Sequence, residues 1–116
     1  MKHSNSPFGK ALKEILEKKR VKLRSLAKKT NLNYSYFSKL KKTIKAPPIK
    51  TIEIIADGLK IPPEYFLEYR IYKIEKALLD NPEIIESVNQ YINNLLSQRE
   101  LRVADHKKPF KNGKEE

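Results

Sequence analysis

Apolar side chains recur every three or four positions along most of this 116-residue chain, the spacing of amphipathic helices. The first such stretch predicts a helix over residues 7–19, where Phe8, Leu12 and Ile15 share one face. Further helices are predicted over Leu23–Thr30, Tyr34–Lys42 and Thr51–Leu59. No segment of useful length alternates with the two-residue period of a strand, so the sequence predicts an all-α protein.

Local signals predict where these helices stop and start. Asn31 tolerates the left-handed conformation that ends a helix, and Asn33 is a good N-cap for the next one. Pro47 and Pro48 indicate a loop over Thr43–Lys50. These signals predict that the second and third helices are joined by a tight turn.

The C-terminal part of the chain predicts further helices. Pro62-Pro63 begins one that offers Phe66 and Leu67 and continues the apolar pattern to Leu78. At Asp80–Glu83 the chain stops and restarts, with Asn81 as N-cap and Pro82 at the first position of a last helix, which runs to about Leu101. Beyond Val103 the sequence is polar and predicts a disordered tail.

The last predicted helix carries one continuous apolar stripe. It either folds back to complete the core of its own domain or forms a dimer interface. We expect dimerisation, because the preceding helices already supply a core and leave the stripe as surplus apolar surface. The predicted interface residues are Ile84, Ile85, Val88, Tyr91, Ile92 and Leu95.

Charge is concentrated in one segment. The chain has a formal net charge of +11, and the stretch from Lys18 to Ile52 holds twelve Lys and Arg residues and no Asp or Glu. A merely solvated lysine-rich face would intersperse Glu among the lysines, as happens elsewhere in this chain. The segment therefore predicts contact with a polyanion, and nucleic acid in particular.

Composition excludes several classes of function. There is no Cys, and the two His residues, His3 and His106, lie near the ends in stretches that read as unstructured. The usual nucleophile–base pairs and transition-metal sites cannot be assembled, so we expect no enzyme, no metal and no cofactor. No membrane span or signal-peptide core is present, which predicts a cytoplasmic protein, nucleoid-associated when bound to DNA.

The second and third predicted helices have the spacing of a helix-turn-helix. Ala27 allows close approach of the two helices, Leu32 fills the turn, and Phe37 and Leu40 hold the third helix on the core. An ordinary helical hairpin would show the same apolar residues. The basic segment centred on the pair favours a DNA-binding unit.

The run from Phe8 to Leu67 resembles the lambda-repressor-like, Cro/XRE-type helix-turn-helix domain. The residues that carry this resemblance are Leu12, Ile15, Val21, Leu26-Ala27, Leu32, Tyr36–Leu40, Pro47, Ile52, Ile55-Ala56, Leu59, Ile61 and Phe66-Leu67. The resemblance implies a five-helix DNA-binding domain over residues 1–69. Two C-terminal helices would follow it over 70–102 as a dimerising extension, and then a disordered tail over 103–116.

The resemblance also implies roles for individual residues. Tyr34, Ser35 and Lys39 match the base-reading positions of the recognition helix. Residues placed to bind phosphate are the backbone at Leu23 together with Ser38, Lys42, Thr43 and Lys45.

Several positions depart from the family's pattern. Lys22 replaces the usual polar cap, Leu23 the phosphate-binding Gln, and Asn31 the turn Gly. The family's frequent Arg–Glu pair is replaced by Leu16 and Lys41, and Thr43 stands where a Gly usually follows the third helix.

The function expected from these observations is that of a dimeric transcriptional regulator, a repressor, that binds a pseudo-palindromic operator on double-stranded DNA. A second hypothesis is an antitoxin-type interaction protein, whose C-terminal helices bind a protein partner while DNA binding serves autoregulation. Non-specific DNA or RNA binding is a third, although the aromatic β-sheet of common single-strand RNA modules is missing.

Overall fold

The computed structural model describes residues 2–43 and 45–104, and these residues form helices and connecting turns with no strand among them. The six α-helices are α1 (Phe8–Lys19), α2 (Leu23–Thr30), α3 (Tyr34–Leu40), α4 (Ile49–Leu59), α5 (Leu67–Asp80) and α6 (Ile85–Ala104), and short 3₁₀ helices cover Pro63–Tyr65 and Pro82–Ile84. The all-α prediction is confirmed. The predicted disordered tail begins at residue 103, whereas α6 runs to Ala104. The rest of the tail, with His106, lies outside the described residues.

Two predicted boundaries in the middle of the chain are wrong by two residues. The third helix ends at Leu40 instead of Lys42, because the amide of Lys42 bonds to the carbonyl of Lys39 and tightens the last turn. The fourth helix begins at Ile49 instead of Thr51. Pro48 occupies its N-cap, a position that needs no backbone donor, and its carbonyl accepts from the amide of Ile52 at 3.1 Å.

A single helix, α5, takes the places of the fifth helix and of the first C-terminal helix that the sequence predicts. Phe66 is extended, with φ −86° and ψ 135°, and separates the 3₁₀ helix at Pro63–Tyr65 from α5. The chain divides between Ala77 and Leu78 into two compact units, so α5 crosses that division.

The first unit holds the hydrophobic core. Its large fully buried side chains come from α1 to α4 and from Phe66, and they are Phe8, Phe37, Phe66, Leu12, Ile15, Leu26, Ile52, Ile55 and Leu59. The rings of Phe8 and Phe66 lie 4.5 Å apart, centroid to centroid, and join the start of α1 to the segment before α5. The predicted core residues of α2 to α4 are therefore buried as expected.

The N-terminal stretch before α1 is structured, which corrects the expectation for the surroundings of His3. The amide of Ser4 donates to the carbonyl of Tyr65 at 2.8 Å. The Arg70 guanidinium donates to the carbonyl of Ser4, and to Oδ1 of Asn5 at 3.0 Å. These bonds reach across more than 60 positions, so no local pattern predicts them.

A carboxylate from α5 caps the first turn of α1. Pro7 occupies the N-cap of α1 and makes no side-chain capping hydrogen bond within the described chain. Oε2 of Glu68 instead accepts from the amide of Phe8 at 3.1 Å. The negative charge lies at the positive end of the helix dipole, an arrangement that stabilises α1.

Two glycines allow helices to approach closely. A Cβ added to Gly9 in α1 would overlap the carbonyl oxygen of Leu40 and lie 2.8 Å from that of Thr43. A Cβ added to Gly58 in α4 would lie 2.7 Å from Cγ2 of Thr30 in α2. Backbone thus approaches backbone at Gly9, whereas Gly58 meets a side chain.

Polar contacts join α5 to the elements before it. Tyr69 donates its hydroxyl to Oε2 of Glu53 at 2.7 Å, and this bond raises the pKa of Tyr69 to about 12. The ammonium of Lys73 lies 2.8 Å from Oε2 of Glu64 and lowers the pKa of that carboxyl. Both contacts are on the surface, where such pairs add little to stability.

The second unit presents apolar side chains to solvent. Those of the 3₁₀ helix and α6 that are more than a third exposed are Ile84, Ile85, Tyr91, Ile92, Leu95 and Leu96. Val88 is partly buried. None of the described helices is both long enough and apolar enough to cross a membrane.

Candidate nucleic-acid interface

The turn between α2 and α3 has the geometry that the sequence predicts. Asn31 ends α2 in the left-handed region, with φ 61° and ψ 27°, which an Asn side chain tolerates. The amide of Leu32 bonds back to the carbonyl of Ala27 at 3.2 Å, and the Leu32 side chain packs against the core. The chain therefore reverses within three residues and brings α3 across α2.

The start of α3 is capped as predicted. Oδ1 of Asn33 accepts from the amide of Ser35 at 2.8 Å, and the backbone carbonyl of Asn33 accepts from the amide of Phe37 at 3.3 Å. These bonds satisfy donors at the N-terminus of the helix. They make Tyr34 the first residue of α3.

One side of α3 is buried and the other is open. Phe37 is fully buried and Leu40 is 5% exposed. Tyr34 is 44% exposed, and Ser35 and Lys39 are also exposed. The structure therefore brings the three residues with predicted base-reading roles to the solvent side of one short helix.

The residues with predicted phosphate-binding roles lie at both ends of this unit. Lys42, Thr43 and Lys45 follow α3 and are exposed, and Oγ1 of Thr43 accepts from the amide of Lys45 at 3.2 Å. Ser38 is partly buried. Leu23 opens α2 and packs its side chain against the core, so only its backbone amide can meet a phosphate.

The N-terminus of α2 opens onto a basic groove. Lys22, the N-cap, makes no side-chain capping hydrogen bond within the described chain. Leu16 and Lys41, which replace the family's frequent Arg–Glu pair, both line this groove. The remaining lining residues are Lys13, Glu17, Arg20, Val21, Lys22 and Leu23. With Lys41 in place of an acid, the groove carries four cationic side chains and one carboxylate.

One residue of this surface was missed by the sequence reasoning. The guanidinium carbon of Arg24, in the first turn of α2, lies 4.9 Å from the centre of the Tyr34 ring. That distance is within the range of a cation–π contact. The sequence shows a basic residue near the start of α2, but only the packing of α2 on α3 shows that its side chain meets Tyr34.

The segment that forms most of this surface contains no carboxylate of its own. Residues 18–52 contain no Asp or Glu. The ion pair between Lys73 and Glu64 lies outside this segment. The solvent side of α3 is therefore flanked by lysines without carboxylate partners, which is the charge distribution that suits a polyanion.

A family model for the Cro/C1-type HTH DNA-binding domain matches residues 11–70, which is more than half of the chain. No curated protein and no solved structure matches the chain significantly. The matched range contains α2, the turn at Asn31 and α3. The chain belongs to the family of Cro/C1-type helix-turn-helix DNA-binding domains.

Proposed function

We propose that this protein is a sequence-specific transcriptional regulator, a repressor, that binds a pseudo-palindromic operator as a homodimer. The observation that carries the proposal is the exposed side of α3, where Tyr34, Ser35 and Lys39 lie within a basic segment that contains no Asp or Glu. Membership of a DNA-binding family supports the same conclusion. Residues 1–69 would bind DNA and residues 70–102 would hold two copies together.

Base readout is assigned to the outer side of α3. In helix-turn-helix proteins the N-terminal residues of the recognition helix contact base edges in the major groove. Lys39 can donate to O6 and N7 of guanine, and Ser35 can donate or accept. Tyr34 would pack on a thymine methyl or bond to a phosphate.

Phosphate binding is assigned to the two ends of the unit. Lys42 and Lys45 are exposed directly after α3, and the amide of Leu23 lies at the N-terminus of α2, which attracts anions. Ser38 and Thr43 would donate hydroxyl hydrogen bonds. Such contacts set the register of the protein on the duplex and do not read sequence.

Dimerisation is assigned to the apolar stripe of the second unit. Ile85, Ile92 and Leu95 are each 45% exposed, and Tyr91 is 64% exposed. A second copy would cover this surface symmetrically together with Ile84 and Val88. Two recognition helices about 34 Å apart then enter successive major grooves and occupy the operator. This function requires that the protein be located in the cytoplasm and associated with the nucleoid.

The same stripe supports a second candidate function. An exposed apolar helix face also suits a different protein, as in an antitoxin that neutralises its partner and regulates its own gene. A small toxin-like reading frame beside this gene would favour that alternative. Homodimer formation by the purified chain would favour the transcriptional regulator proposed above.

The test is selection of random duplex DNA by the purified full-length protein at about 150 mM salt. The proposal expects an enriched inverted repeat with half-sites centred about 10 base pairs apart. Salt-dependent binding without any enriched sequence would overturn sequence-specific regulation, because the basic segment would then contact the DNA backbone alone.

A further inference from the structure

Arg24 and Tyr34 link the beginnings of the two helices of the helix-turn-helix. Arg24 lies in the first turn of α2, and Tyr34 is the first residue of α3. The guanidinium carbon lies 4.9 Å from the ring centre, and both side chains are exposed, Tyr34 by 44%. The contact therefore lies on the surface that the proposed function assigns to DNA.

The aromatic ring is the partner that the structure gives this guanidinium. Arg24 forms no ion pair or hydrogen bond with any described residue, and the nearest carboxylates in sequence, at Glu17 and Glu53, lie outside the segment from 18 to 52. A guanidinium over a ring uses its face and leaves its N–H edge free. Arg24 can hold Tyr34 and donate to a phosphate at the same time.

We propose that Arg24 is a positioning residue that holds the Tyr34 ring in the orientation needed to read a base pair at one end of each half-site. This inference rests on the proposed function and adds a specificity-determining residue to it. The guanidinium contacts the ring at 4.9 Å and so restricts the orientations that the exposed Tyr34 side chain can adopt. A free Tyr side chain would lose rotamer freedom on binding, whereas this one is ordered in advance.

A positioning role and simple charge attraction have different effects on discrimination between DNA sequences. A lysine or arginine that only attracts phosphate strengthens binding to every sequence about equally. Arg24 should instead affect the ratio between the operator and a variant operator altered at the base pair that Tyr34 reads. At an exposed site a cation–π contact corresponds to about a two- to fivefold effect on such a ratio.

The experiment is a double-mutant cycle with Arg24→Ala, Tyr34→Ala and the combined variant, measured on the selected operator and on operators altered one base pair at a time. We expect the two changes to be non-additive at one base pair of the half-site only. Tyr34→Phe keeps the ring and should retain the coupling to Arg24. Lys29→Ala, an exposed charge loss on the same helix, is the matched control and should leave discrimination unchanged.

A second measurement follows the pair in the free protein. Ring currents from Tyr34 should shift the side-chain proton resonances of Arg24 in NMR spectra, and Tyr34→Leu should abolish the shift. Its absence in the wild type would overturn the contact itself. Additive losses on the operator, or an equal loss on all sequences for Arg24→Ala, would overturn the positioning role. If the wild type selects no DNA sequence, the proposed function and this inference both fail. If an operator is selected but the effects of Arg24→Ala and Tyr34→Ala on it are additive, only this inference fails.

Discussion

The amide of Phe8 donates a hydrogen bond of 3.1 Å to Oε2 of Glu68, which follows it by 60 positions in the chain. The bond joins the first turn of α1 to the first turn of α5. The rings of Phe8 and Phe66 stack beside it with centroids 4.5 Å apart. The DNA-binding domain is thus closed by a contact between its first and last elements.

Glu68→Ala should destabilise the protein, because it removes the acceptor for the first turn of α1. Loss of a helix cap costs about 1 kcal/mol. The free energy of unfolding, measured by urea denaturation with circular dichroism, should fall by about that amount. Glu68→Gln keeps an acceptor oxygen and should lose less. Glu75→Ala removes an exposed carboxylate from the same helix and serves as the control; equal effects of the two alanine variants would contradict the capping role.

Gly9→Ala should destabilise the protein through overlap of backbone and Cβ. The added carbon would overlap the carbonyl oxygen of Leu40 and approach that of Thr43, and helix backbone cannot yield as a side chain does. Overpacking of this kind costs about 1–3 kcal/mol, measurable by thermal or urea unfolding.

Gly58→Ala is the matched comparison for Gly9→Ala. Its Cβ would meet Cγ2 of Thr30 and Cδ1 of Leu26, which are side-chain atoms. Alanine also gains about 1 kcal/mol of helix propensity over glycine, which offsets part of the crowding. If Gly58→Ala lowered the free energy of unfolding as much as Gly9→Ala, the distinction between backbone and side-chain contacts would be contradicted.

Tyr69 should titrate late and make the free energy of unfolding depend on alkaline pH. Its pKa is raised from 10.0 to about 12, first because its hydroxyl donates to Glu53. A group whose pKa is raised on folding stabilises the folded protein as long as the pH is below the pKa of that group in the unfolded chain. The contribution of Tyr69 is therefore complete below about pH 10 and disappears as the pH rises toward 12.

The measurement for Tyr69 is its ring-carbon NMR titration in the wild type and in Glu53→Gln. Replacing the carboxylate removes both the charged acceptor and the repulsion of the phenolate, so the pKa should return toward 10.0. An unchanged Tyr69 titration in Glu53→Gln would exclude Glu53 as the cause of the shift.

Lys39→Ala and Lys42→Ala should have different effects on DNA binding. Lys39 lies on the exposed side of α3, and its removal should relax discrimination at one base pair with a loss of about 1–3 kcal/mol. Lys42 lies beyond the end of α3 and should weaken operator and random DNA about equally, reducing the salt slope by about one. Fluorescence anisotropy at several salt concentrations distinguishes the two. Equal losses on both DNAs from both variants would refute these roles.

Ile92→Glu should convert the proposed homodimer to a monomer, because it places a charge in the apolar stripe of α6. Ile92 is 45% exposed in the single chain and would be covered by the second copy. Analytical ultracentrifugation across a concentration series measures the change. Gln90→Glu adds the same charge on the polar side of the helix and should remain dimeric. A wild type that sediments as a monomer at all concentrations would refute the dimer.

Features with local causes could be predicted from the sequence. The bounds of α2, the left-handed Asn31 and the cap at Asn33 each depend on residues within four positions of one another. The burial of Phe37 and Leu40 follows from helical spacing alone. The exposed positions of the candidate site follow from the same period, since residues opposite a buried face meet solvent.

Features that depend on distant residues could not be predicted. Glu68 and Arg70 read as ordinary charges of an amphipathic helix, and nothing near them indicates that they hold Phe8 and Ser4. The pairing of Arg24 with a ring ten positions away is set by the angle between two helices, which no periodicity encodes. The continuation of α5 to Asp80 follows the apolar pattern predicted to Leu78, whereas the extended Phe66 that precedes α5 leaves no mark in that pattern.

The close approach at Gly9 fixes where the C-terminal end of α3 lies against α1. The carbonyl groups at the end of a helix point along its axis, and those of Leu40 and Lys41 face Gly9 directly. Alpha-3 therefore ends against the main chain of α1, which acts as a fixed stop. Side chains on the outer surface of α3 take no part in this contact. Substitutions at the exposed Tyr34, Ser35 and Lys39 therefore leave the main-chain contact that seats α3 on α1 unchanged.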